Sequence, residues 1–169
     1  MPNGRSVLIC RRSRLVGSSL KRIVLFVGVP GSGKTSHAEK LVEQGFSRLC
    51  ADDIRVELYR DAAIQGDSAE VYKIFFERLD KLLSECCDVI VDNTNILIEH
   101  RLLIINRAVE AGYSEVEIWL FDVPLAVCLE RNQQRERVVP EDVIIAMHRD
   151  LFGAHRPQSS EGKVVVLVG

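Results

Sequence analysis

GVPGSGKT, residues 28 to 35, follows directly on the apolar run IVLFV of residues 23 to 27 and leads into the helical pattern TSHAEKLVEQ. It satisfies G-x-x-x-x-G-K-[ST] in full, in the strand-in, helix-out context that a phosphate-binding loop requires. Gly28, Gly31 and Gly33 let the backbone turn tightly and aim successive N–H groups at phosphate oxygens. The helix N-terminus adds its partial positive charge. Lys34 is placed to reach the β- and γ-phosphates of a nucleotide, and the Thr35 hydroxyl to ligate magnesium. Val29, Pro30, Ser32 and Ser36 complete the candidate nucleotide-binding set.

Outward from this loop, short β-branched runs alternate with helix-length patterns. IVLFV (23–27), RLCA (48–51), DVIVD (88–92), VEIWLF (116–121) and KVVVLV (163–168) read as buried strands of a parallel sheet. Between them, 34–44, 53–59, 69–86, 99–111, 125–135 and 141–151 read as helices, with Gly45 and Gly112 placed as C-terminal glycines. Strand then helix, repeated, predicts an α/β sandwich with right-handed crossovers. At 169 residues the chain fits one domain, read here over 22–169, with a short arginine-bearing lid near 125–140.

Composition narrows the class. No apolar stretch approaches the roughly 20 residues of a membrane span, so the chain reads as a soluble protein, and its cysteine usage makes the cytoplasm the expected place of action. The five cysteines form no CxxC pair and read as reduced thiols. Residues 1 to 22 carry six basic side chains and no acid, which leaves 16 basic against 24 acidic residues beyond, a net of −8. Residues 1–21 read as a flexible basic extension that lacks the apolar region of a secretory signal. An acidic body is a poor general magnet for nucleic-acid backbones, so any such contact should be local.

Three further motifs bear on where a terminal phosphate would go. DVIVDNTN ends a strand in Asp92, which can hold magnesium-bound water beside the phosphates. ADDIR puts Asp52 near the end of the second strand, where open α/β sheets bind ligands and where a carboxylate can take a proton from an attacking hydroxyl. Arg55 lies a helical turn beyond and can clamp a phosphate or carboxylate of the same acceptor. RNQQR puts Arg131 and Arg135 four apart on an expected helix, able to stabilise charge on a phosphoryl group in transfer. The chain has neither the NKxD base motif of a GTPase nor the signature segment of a transporter ATPase. Phe75 and Phe76 could line an acceptor cleft, although core packing is the simpler reading for both.

The order GVPGSGKT, ADDIR, VIVDNTN, RNQQRxxxVP and EGK before a terminal strand resembles the polynucleotide kinase-like, zeta-toxin-related group of P-loop kinases with an AAA domain. The resemblance covers about residues 22–168. It implies a three-layer fold with a parallel sheet of order 2-3-1-4-5, ATP and magnesium, and transfer to a hydroxyl such as a polynucleotide 5' end. It further implies that Asp52 is the general base, Arg55 binds the acceptor's phosphate and Arg135 contacts the transferring phosphate. Arg131 is a second lid contact, and Arg137 competes with Arg135 if the lid is offset. The same scaffold serves small-molecule and aminoacyl-tRNA kinases, and a nucleotide-dependent regulatory ATPase is the reading from another class. No membrane and no obligate protein partner are inferred.

Overall fold

Burial on both faces makes β1 (Arg22–Val27) the centre of the molecule. Successive side chains of a strand point to opposite faces, and here Ile23, Leu25 and Val27 enter one apolar cluster while Val24 and Phe26 enter another. Both faces are covered, which is why the run is continuously apolar rather than alternating. The computed structural model describes residues 21–60, 64 and 66–169. The expected basic extension therefore lies outside the described residues apart from Lys21, whose ammonium is 3.4 Å from the Ala111 carbonyl oxygen.

Five parallel strands form one sheet in the order β2-β3-β1-β4-β5, as the resemblance implied. The others are β2 (Ser47–Leu49), β3 (Val89–Val91), β4 (Glu115–Asp122) and β5 (Lys163–Val168). Ile23 lies opposite Val89 on one side and Val116 on the other. The connecting helices are α1 (Lys34–Glu43), α2 (Ala51–Tyr59), α3 (Ser68–Ser84), α4 (Ile98–Glu110), α5 (Leu125–Gln133) and α6 (Glu141–Phe152). α3 shows how one of them is specified. Asp67 caps its N-terminus by accepting from the Ala69 N–H at 2.8 Å, and Val71, Phe75, Leu79 and Leu82, spaced three or four apart, form its buried stripe. Each large side chain so buried contributes about 1.5–3 kcal/mol. Gly45 and Gly112 both take positive φ after their helices, where the left-handed turn requires glycine.

Two expectations about elements need correction. The segment RLCA is strand only as far as Leu49, and α2 already begins at Ala51, so Asp52 and Asp53 stand in the first turn of a helix. α5 ends at Gln133, so Arg135 lies in a turn rather than on the helix with Arg131. The thiols also divide: Cys50 and Cys128 are buried and free and Cys86 is exposed and free. Cys87 is buried.

The end of the sheet beside the phosphate-loop motif is fixed by polar contacts. The Asn95 side-chain amide donates to the Phe26 and Val91 carbonyls at 2.8 and 3.3 Å, and the Gly28 N–H donates to the Thr94 carbonyl at 3.1 Å. Behind them, the fully buried Arg101 pairs with Glu161, donating from Nε at 2.7 Å and Nη2 at 3.0 Å. Its remaining donors go to the carbonyls of Asn95, Ile96 and His155. A buried ion pair with every donor used fixes the β3–α4 connection to the segment before β5.

Candidate active site

A cavity of about 680 Å³ opens where the C-terminal ends of β1, β2 and β3 meet α2 and the segment after α5. Pro30, Gly31, Gly33, Lys34 and Thr35 line one side. Gly31 and Gly33 have φ of 83° and 91°, and a side chain at Gly31 would strike the Cys128 carbonyl. The backbone therefore forms a tight cradle packed on α5. Of the other candidate loop residues, Gly28, Val29 and Ser32 are buried and are not among the residues lining the cavity. Ser36 is exposed on α1 and is not among the residues lining the cavity.

The Lys34 ammonium folds into the loop, donating to the Gly28 and Val29 carbonyls at 2.7 and 2.8 Å and to Ser32 Oγ at 3.3 Å. Burial pulls its pKa down to about 8; Asp92 opposes the shift and Arg135 adds to it. An ammonium held this way is poised to exchange carbonyl partners for phosphate oxygens. Thr35 lines the cavity beside it, and Asp92, only 5% exposed, lines the facing wall. One hydroxyl and one carboxylate suit magnesium that arrives already carrying phosphate and water ligands.

Across the cavity stand Asp52 and Arg55, joined by an ion pair of 2.7 Å. The Asp52 side chain is 54% exposed, whereas that of Arg55 is 12% exposed. Arg55 Nε is buried with no hydrogen-bond partner among the described residues. Such an orphaned donor is costly, and it belongs to a guanidinium lining a cavity able to supply an acceptor. Arg131, Arg135 and Arg137 all reach the same cavity. Arg137 approaches Asp52 to 3.6 Å, while Arg135 is near enough to Lys34 to depress its pKa. The two arginines thus divide between the ends of the cavity.

Two residues in this constellation escaped the sequence reading. Asn132, fully buried, donates from Nδ2 to the Val139 carbonyl at 2.8 Å and accepts from the Val139 N–H at 3.1 Å, closing the segment that carries Arg135 and Arg137. In sequence it sits among charged residues and reads as one more polar position. Arg48 lines the cavity and contacts both Asp92 and Asp53; inside a short strand pattern it gave no signal beyond its charge.

A second cavity, about 400 Å³, shares Tyr72, Asn93, Thr94 and Met147 with the first. Phe76, Ile96, Leu97, Leu103 and Ile104 give it apolar walls, with His100 and Asp150 at its polar edges. The two phenylalanines of α3 therefore separate: Phe75 is wholly buried core, and Phe76 faces this cavity.

Residues 23–153 match the family model described as AAA domain. A candidate bifunctional polynucleotide kinase/RNA ligase of Autographa californica nuclear polyhedrosis virus is 26% identical over an alignment of 136 positions that covers 72% of this chain and 19% of that protein. A chain from the Pnkp1/Rnl/Hen1 RNA repair complex superposes with a TM-score of 0.70 at 21% identity, covering 81% of this chain and 46% of the other. A gluconokinase from Sinorhizobium meliloti superposes at 0.58 with 16% identity, covering 88% and 83%. The chain thus spans about a fifth of the viral protein and under half of the repair-complex chain.

Proposed function

Since the chain belongs to the AAA domain family and is a P-loop kinase of the polynucleotide kinase-like kind, we propose that it transfers the γ-phosphoryl group of ATP to a hydroxyl group. The acceptor we assign first is the 5'-hydroxyl end of a polynucleotide. One observation carries this reading: Lys34, Thr35 and Asp92 share a single cavity with Asp52 and Arg55. Donor-side and acceptor-side groups are thereby brought within one enclosure, as transfer between two bound molecules requires.

In this scheme the cradle N–H groups and Lys34 hold the nucleotide's phosphates, and Thr35 and Asp92 hold magnesium that comes with them. Bound there, magnesium would neutralise charge on the β- and γ-phosphates. Asp52 accepts the proton of the acceptor hydroxyl as its oxygen bonds to the γ-phosphorus and the bond to the β-phosphate bridging oxygen breaks, releasing ADP. Arg135 meets the charge on the phosphoryl group in transfer, with Arg131 a second contact from α5, and Arg55 binds an anionic group on the acceptor. Such a reaction needs a compartment that supplies ATP, and we assign it to the cytoplasm.

The second cavity supports a ring-bearing acceptor, because its apolar walls suit a planar base better than a polyhydroxylated chain. The fold similarity to a gluconokinase keeps a small-metabolite kinase as the competing reading. Transfer from γ-labelled ATP, screened over 5'-hydroxyl oligonucleotides, nucleosides and sugar acids, separates the two. Label on oligonucleotides supports the proposal. Label on nucleosides or sugar acids alone overturns it in favour of the small-metabolite kinase, and free phosphate alone overturns both.

A further inference from the structure

Arg48, the middle residue of β2, donates from Nε to Asp92 Oδ2 at 2.7 Å and from Nη1 to Asp53 Oδ2 at 2.6 Å. One guanidinium thus ties the carboxylate at the phosphate end of the cavity to the second carboxylate of the DD pair. Asp92, a buried residue, pairs with Arg48 at 2.7 Å and lines the same cavity as Lys34. With Oδ2 taken by Arg48, the other oxygen of Asp92 is left for the cavity. Asp53 is held toward β2, so its neighbour Asp52, paired instead with Arg55, is the acid left on the acceptor side.

Resting on the kinase reading, we infer that Arg48 is a positioning residue for phosphoryl transfer. It fixes the Asp92 carboxylate in the orientation that nucleotide-borne magnesium needs, and it keeps Asp53 off the acceptor. The physical reason lies in what Asp92 would do without it. A buried carboxylate left without its guanidinium turns toward another nearby cation, and that turn moves its free oxygen away from where nucleotide-borne magnesium would sit, while Lys34 stays with the phosphates. Magnesium tolerates little departure from octahedral geometry, so a carboxylate free to turn is a poor holder of its water shell. Lysine cannot substitute, because a single ammonium does not present a planar fork to two carboxylates at once.

The test uses the whole chain with Arg48→Gln and Arg48→Lys, read by binding of a fluorescent ATP analogue with and without magnesium, by melting temperature, and by kcat and KM. Metal-free nucleotide affinity is expected to stay at the wild-type value in both variants. The extra affinity conferred by magnesium is expected to fall at least about tenfold, with kcat falling while Arg48→Lys keeps the wild-type melting temperature. A magnesium gain preserved in both variants overturns the inference. So does a parallel fall of melting temperature and of both affinities in both variants, the mark of a merely structural role. Wild-type protein that binds nucleotide but transfers nothing would sink the kinase reading instead, and the magnesium readout would still decide the role of Arg48.

Discussion

Lys34 is an ammonium that burial has brought to a pKa of about 8 before any phosphate reaches it. A bound polyphosphate stabilises the charged form, so the pKa in the complex must be higher than in the free protein. The sign of the linkage follows. Below about pH 8 the free protein already holds the proton and affinity is at its maximum; as pH rises from there toward the bound-state pKa, binding must take up a proton. ATP affinity should therefore be flat from neutral pH to just below 8, then weaken toward a limit of about tenfold per pH unit. Titration calorimetry in two buffers of different ionisation enthalpy would read the same proton uptake directly. Lys34→Met should bind weakly at every pH and lose the alkaline slope. A wild-type affinity independent of pH across this range would mean that Lys34 does not turn to the phosphates.

Among the elements, the segment between α5 and α6 brings two arginines to the cavity on a short closed loop. Asn132 closes it through two hydrogen bonds to the backbone of Val139, and Arg135 and Arg137 ride on the closed loop. Asn132→Ala removes both bonds, at about 1–3 kcal/mol for buried groups left unpaired. The expected outcome is at least a tenfold loss of kcat, since misplaced positioning groups cost that much or more. Metal-free nucleotide binding, which depends on the cradle, should be retained. Unchanged kcat in steady-state assays would show that these arginines need no fixed loop. The same segment marks the limit of what sequence discloses. Helix periodicity runs on through RNQQR, yet the helix stops at Gln133 because Asn132 closes onto Val139, a contact across seven residues that no local pattern signals.

Across the whole molecule, legibility follows the range of the force involved. Apolar runs and C-terminal glycines are local signals backed by burial, so among the described residues all five strands and six helices fall where the alternation of patterns puts them, with ends displaced by up to two residues. The phosphate loop was legible because each residue type has a local steric or hydrogen-bonding reason. Arg48, Asn132 and the Arg101–Glu161 pair were not, since each acts through partners distant in sequence or through a closure only the fold creates. Among the described residues no helix is long and apolar enough to cross a membrane. The central claim is that one cavity serves both the donor and a hydroxyl acceptor, with Asp52 taking the proton. A single-turnover measurement of phosphoryl transfer by D52N, on whichever acceptor the wild-type protein labels, tests it most directly. The account predicts wild-type affinity for MgATP with transfer slowed by about 10²–10⁴-fold; transfer at the wild-type rate would contradict it.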